Sequence, residues 1–212
     1  LITAGPTYEK IDPVRFIGNF SSGKMGSAIA NELAELGANV DLVIGPSSVE
    51  IHPNVSIHRI ESTQQMYDMC LEKFDNSKLI IFSAAVSDYK PKIISKNKIK
   101  KKNNDMNLSL EKTIDILQEL GEKKKSNQFL VGFALETDNE INHAKEKMIR
   151  KKLDMIVLNS MNDKKSCFGF DTNKVTLINK NHDIENLPLM TKKNVAKYIV
   201  KSCRELFKKE LI

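Results

Sequence analysis

Two almost unbroken apolar runs, at 79–85 and 129–135, with a shorter one at 155–158, constrain this chain more than any other feature. A strand with one wet face alternates polar and apolar residues with period two, whereas a run without alternation must be covered on both faces. That condition is met by a parallel sheet sandwiched between helices. Amphipathic helical patterns occupy the intervals that such a sheet needs for its crossovers. Met25, Ala28, Ile29, Leu33 and Leu36 share one helical face over 24–36, and Gly37 ends the pattern. Further strands are expected at 1–4, 40–44 (closed by Gly45-Pro46) and 56–60. Ser62 or Thr63 caps a helix running to Phe74, and 140–152 is a third crossover helix. A small C-terminal hairpin starts at 175–178, and 191–210 is a closing amphipathic helix. Alternation of this kind predicts an α/β, Rossmann-like doubly wound sheet, mainly parallel, as one domain over 1–212.

One segment breaks the rhythm. Residues 88–108 read DYKPKIISKNKIKKKNNDMNL, rich in lysine and without a packing period. An unstructured stretch of this length in a compact domain is either a functional flap or disordered.

Bulk properties exclude several functional classes. With 212 residues, 41% hydrophobic and 28% charged, the chain has an ordinary soluble composition and can bury one full core. No apolar run reaches the roughly 18 residues of a membrane helix, so no membrane partner is expected. The chain opens at Leu1-Ile2-Thr3, which reads as mid-strand, so a preceding domain is expected. Cys70, Cys167 and Cys203 lack the paired spacing of a zinc site, and a reducing cytoplasm suits them. The formal charge of +6 points to anionic partners, or to solvated lysine faces. Nucleic acid is not favoured: aromatics are 6%, and no helix-turn-helix, zinc-finger or RNA-recognition signature is present.

The start of the chain places a strand before the turn Gly5-Pro6-Thr7, and Asn19-Phe20-Ser21-Ser22-Gly23-Lys24-Met25-Gly26 opens a helix. Small residues and unpaired amides at a helix start form an anion site, so Gly5, Ser21, Ser22, Gly23 and Lys24 are candidates. An ordinary serine cap with a glycine turn is the plainer alternative. The segment is neither a dinucleotide fingerprint, for G-x-G-x-x-G is absent, nor a Walker A loop.

Taken together, ITAGPT, IDPVRFIGN, SSGKMG, AAVSDYKP, KIKK and VGFALET, followed by Lys147 and Lys151, resemble phosphopantothenoylcysteine synthetase, in particular the bacterial CTP-dependent type. Six motifs in the same order carry the resemblance, which runs to about Asn173. It implies a phosphopantothenate–cysteine ligase of coenzyme A biosynthesis. Its substrates would be 4′-phosphopantothenate, cysteine and CTP, with Mg²⁺ (its ligands unassigned) and an acyl-cytidylate intermediate. It also implies a homodimer whose site is completed by the 12–19 region of the neighbour, and a possible fused flavin-dependent decarboxylase domain.

The resemblance further implies roles for single residues. Asn19 would hold the acyl-nucleotide carbonyl, Arg15 would lie near the same substrate, and Lys98 would be the catalytic lysine. The alternatives are a turn former for Asn19, an ion pair with Asp12 or Glu9 for Arg15, and a solvated loop for the run Lys98, Lys100, Lys101 and Lys102. Ala84, Ala85 and Asp88 would meet the nucleotide at a strand end, as would Ile114, Asp115, Ile116, Leu117, Phe133, Lys147 and Lys151. Phe133 can stack on a base or simply pack in the core. Lys147 and Lys151 share a helix face and can reach one polyphosphate, or remain an exposed pair. Tyr8, Gly18, Phe20, Thr113-Ile114 and Leu135 depart from the family pattern. Two rival readings are an NAD(P)-dependent oxidoreductase and an inactive nucleotide-binding regulatory domain.

Overall fold

The computed structural model describes residues 1–100, 105–160, 166 and 169–210. Lys101, Lys102 and Cys167 lie outside the described residues. In chain order the elements begin β1 (Ile2–Ala4), β2 (Tyr8–Lys10), β3 (Phe16–Gly18), α1 (Lys24–Glu35), β4 (Val40–Ile44) and β5 (Val55–Arg59). They continue α2 (Thr63–Phe74), β6 (Leu79–Phe82), β7 (Tyr89–Pro91), β8 (Leu110–Lys112), α3 (Ile116–Lys123), β9 (Phe129–Glu136) and α4 (Glu140–Arg150). The chain closes with β10 (Met155–Ser160), β11 (Thr172–Asn173), β12 (Val175–Asn179), β13 (Ile184–Asn186), β14 (Met190–Thr191) and α5 (Lys192–Glu210).

Eight strands form the central sheet in the order β13-β12-β10-β9-β6-β1-β4-β5. The six from β5 to β10 are parallel, and β12 and β13 add an antiparallel hairpin at the β10 edge. Counting only the parallel strands, the order is that of a doubly wound Rossmann sheet, with its switch point between β1 and β6. Alternate residues of one strand feed two separate cores. Ile2, Leu42, Ile44, Ile81, Val131 and Val157 pack under α1 and α5. Val43, Ile80, Leu130, Ile156 and Leu158 pack under α2, α3 and α4. Both faces are therefore dry, which is why the central strands carry no period-two signal.

Several expectations need adjustment. The apolar run at 79–85 is strand only to Phe82. Beyond it the chain lies along the end of β1, with Ser83 N donating to Thr3 O at 3.3 Å and Ala85 N to Gly5 O at 2.9 Å. Ser62, not Thr63, caps α2, in a capping box with Gln65. Residues 190–191 form a short strand, so the last helix begins at Lys192. The 88–108 segment is not wholly structureless: β7 pairs antiparallel with β8, making a two-stranded ribbon at its base. The hairpin of β2 with β3 and the helix α3 were not expected from periodicity.

Candidate active site

Four glycines bring the start of α1 down onto the ends of β1 and β4. Gly5 and Gly23 take positive φ, 76° and 78°, a region costly for any residue with a Cβ. A Cβ on Gly45 would lie 1.7 Å from Pro6 O, and one on Gly26 would lie 2.6 Å from Ala4 Cβ. With Gly23 as N-cap, α1 has no side-chain cap and no acid in its first turn. Its free amides and positive dipole end face the switch point.

The opposite wall comes from the second half of the sheet. Asp115 caps α3, accepting from Gln118 N at 3.2 Å, and also accepts from Lys151 Nζ at 2.7 Å. Lys147, one helical turn earlier on α4, donates to Phe133 O at 3.0 Å. Both ammonium groups are thereby aimed at the end of β9. Burial, helped by the neighbouring charge of Lys151, pushes the Lys147 pKa below its ordinary value.

Between these walls lies a cavity of about 460 Å³, within the usual range for small-molecule sites. It is lined by Asn19, Ser21, Ser22, Gly23, Lys24, Ala84, Ala85, Asp88, Ile114, Asp115, Ile116, Leu117, Phe133, Lys147 and Lys151. Gly5 shapes it from beneath, through contact with Gly23. A second, polar cleft of about 360 Å³ adjoins it across Asp88, Asp115, Lys147 and Lys151. Periodicity and motifs did not point to Asn159, Asn173 or Lys192, which also line the main cavity. No sequence signal singles out Lys192, whose burial at the start of the last helix is visible only in the fold.

Two of the candidates stand outside the cavity of their own chain. Arg15 pairs with Asp12, its Nε donating to Oδ2 at 3.0 Å and its second guanidinium nitrogen bonding the same oxygen. The guanidinium holds the fully enclosed Asp12 carboxyl well below the usual carboxylate range, with backbone amides of Val14, Ile99 and Arg15 assisting. Arg15 also donates to Ile99 O at 2.8 Å, while Ile99 N donates to Asp12 Oδ2 at 3.1 Å. The flap bearing Lys98 is thus fastened to the hairpin loop, and Lys98 itself is exposed. Of the two ion pairs weighed for Arg15, Asp12 is the partner; Glu9 instead accepts from Thr63 N and Oγ1, each at 2.7 Å. Asn19 gives both amide hydrogens to carbonyls, Ala85 O at 3.1 Å and Val86 O at 3.0 Å. Two carbonyl acceptors fix which end of the amide is nitrogen.

Six parallel strands in doubly wound order, a glycine-lined helix start and a lysine-rich cavity at the switch point define a Rossmann-like domain suited to an anionic ligand. The chain belongs to the family described as the DNA/pantothenate metabolism flavoprotein C-terminal domain, which it matches over residues 1–206. It is 47% identical over 203 residues to a prokaryotic protein named cysteine/cysteine sulfinic acid decarboxylase, covering 94% of this chain and 56% of that one. It is 43% identical over 209 residues to the coenzyme A biosynthesis bifunctional protein CoaBC of Bacillus subtilis, covering 98% of this chain and 51% of that protein. The chain therefore spans about half the length of these curated relatives. The crystal structure of the C-terminal domain of a CoaBC protein superposes with a TM-score of 0.84 at 41% identity, covering 98% of this chain and 94% of that one.

Proposed function

We propose that residues 1–212 are one synthetase domain that condenses 4′-phosphopantothenate with cysteine, activating the acid with CTP. The observation that carries this reading is the switch-point cavity, where an anion-binding helix start, an aromatic face and four lysines against two aspartates converge in a member of this family. The acid carboxylate would attack the α-phosphate of CTP, forming an acyl-cytidylate and releasing pyrophosphate. The cysteine amine would then attack the acyl carbonyl, forming the amide and releasing CMP, with the amine proton passing to solvent. The names of the relatives, one a decarboxylase and the other a bifunctional coenzyme A biosynthesis protein, favour a fused decarboxylase domain, which the resemblance makes flavin-dependent.

Phe133 offers its ring to the base, and Lys147 and Lys151 supply charge beside it. The α1 start and Lys24 face the phosphates. Asn19 braces the carbonyls of Ala85 and Val86, and would hold the acyl carbonyl by exchanging one of those bonds. Among the described residues no group of three His, Cys, Asp or Glu side chains is placed to hold a metal. Mg²⁺ would be carried on the nucleotide phosphates, and exposed Asp88, on the cavity lining, would be a carboxylate available to hold it. When bound, the ion would neutralise phosphate charge. Arg15 and Lys98, outside the cavity of their own chain, are assigned to a site completed in a homodimer and to closure of the flap. A cytoplasmic setting suits Cys70 and Cys203, buried thiols whose pKa values burial raises to about 12. No helix among the described residues is long and apolar enough to cross a membrane.

Mass spectrometry of a reaction containing phosphopantothenate, cysteine, CTP and Mg²⁺ tests the proposal. Phosphopantothenoylcysteine and CMP should appear together. Absence of both, with NADPH rather than CTP raising the melting temperature, would overturn it in favour of an oxidoreductase.

A further inference from the structure

Asn159, Asn173 and Lys192 line the cavity but carry no individual role in the reaction outlined above. Lys192 opens α5 and is only 8% exposed, an unusual degree of burial for a lysine. Its Nζ donates to Phe170 O at 2.7 Å, and the residue is part of the cavity lining. Lys24 lies on the same lining, with its Nζ 2.5 Å from Asp171 Oδ1. Asp171 is held in place through its backbone: Lys192 N donates to Asp171 O at 2.8 Å, and the next two residues pair with β14. Asn173, within that pairing, donates to Asn159 Oδ1 at 3.0 Å. Lys24 and, more weakly, Lys192 lower the Asp171 pKa below the usual carboxylate range, the Lys24 hydrogen bond being the main cause.

These contacts hold an anion on Lys24, with Lys192 near enough to act on its charge, and that anion belongs to the protein. The Asp171 side chain is 85% exposed, and the bond to Lys24 is its main tether. A phosphate group carries more charge and more acceptor oxygens than a carboxylate, and it can accept from both lysines and from the first-turn amides at once. We propose that Lys24 and Lys192 form a phosphate subsite in which Asp171 is an internal stand-in, covering Lys24 in the free protein and swinging to solvent when a phosphate arrives. The inference rests on the ligase reading for the identity of the phosphate, since both the nucleotide and the acid substrate carry one. On departure of the phosphate, Asp171 returns to Lys24 and assists product release.

The test is calorimetric titration of the whole chain with pyrophosphate and, separately, 4′-phosphopantothenate. Asp171→Asn removes the competitor, and an exposed ion pair of this kind corresponds to about a twofold to fivefold gain in affinity. Lys192→Met should weaken the same probe about tenfold or more, as loss of a charged hydrogen bond does. A gain for pyrophosphate assigns the subsite to the nucleotide phosphates, and a gain for phosphopantothenate assigns it to the acid. Unchanged or weaker binding of both probes to Asp171→Asn overturns the proposal, even if Lys192→Met fails to fold. The two readings fail separately. An active ligase whose Asp171→Asn variant binds both probes unchanged sinks the subsite alone. A protein without ligase activity whose Asp171→Asn variant binds pyrophosphate more tightly sinks the ligase alone.

Discussion

Gly26→Ala is a small perturbation with a calculable outcome. Gly26 lies in the first turn of α1, directly over β1. A Cβ there would lie 2.6 Å from Ala4 Cβ, 2.8 Å from Thr3 O and 3.1 Å from Ala4 Cα. None of these atoms ends a flexible side chain, so the helix itself must move. Carbon atoms in contact sit about 3.5–4.0 Å apart, so the start of α1 must recede by about 1 Å. Overpacking of this kind costs about 1–3 kcal/mol. Replacing glycine with alanine in a helix returns at most about 1 kcal/mol. The expected net loss is about 1 kcal/mol, which for a domain of this size lowers the melting temperature by about 2–4 °C. The functional effect should be larger than the stability effect. The receding turn carries Lys24 and the free amides, and a misplacement of about 1 Å at a reacting centre can cost about a hundredfold in rate. Thermal melts, CTP titration and turnover should therefore show a mildly destabilised protein with a severe catalytic defect. A variant that melts higher than wild type and turns over within about threefold of it would refute the close-approach argument.

Other outcomes follow from the same geometry. Asn19→Asp should reduce product formation about a hundredfold or more, because a carboxylate cannot donate to Ala85 O or Val86 O and would repel an oxyanion; activity within a few-fold of wild type removes the role. Lys98→Gln should leave melting unchanged yet stall turnover, and trypsin should cut the free protein after exposed Lys92, Lys96, Lys98 or Lys100, with protection by CTP, Mg²⁺ and phosphopantothenate. Sedimentation should show a dimer, and mixing inactive Asn19→Asp with Lys98→Gln should recover part of the activity; a fully active monomer refutes the shared site. Burial lowers the Lys147 pKa, so the folded state holds that proton less tightly than the unfolded chain, and this penalty fades as pH rises toward 10.5. Lys147→Met should therefore melt above wild type at neutral pH, with the gain shrinking under alkali, while CTP binding weakens; a gain independent of pH counts against the charge explanation.

The doubly wound class was legible because strands dry on both faces must be apolar throughout, as Ile80, Ile81, Leu130 and Val131 are. The α1 face was legible because Ile29 and Leu33 recur at helical spacing and are buried there. The ribbons were not. Tyr8-Glu9-Lys10 and Leu110-Glu111-Lys112 are too short to show a period, and long-range pairing alone makes them strands. The helix α3 escaped notice for the same reason, being 8 residues long.

By itself, then, the order of residues determined the parallel sheet, the glycine-lined start of α1 and the spacing that sets Lys147 and Lys151 on one face of α4, because local sterics and periodic burial act over neighbouring positions. Only the tertiary structure decided that Lys192 and Asp171 stand beside Lys24, that Asn19 gives both hydrogens to the 85–86 carbonyls, and that Arg15 fastens the flap through Ile99. Those contacts join residues 66 to 147 positions apart, apart from the short Lys192–Phe170 link, and rest on how β1, β6 and α5 pack. No local pattern encodes such a distance.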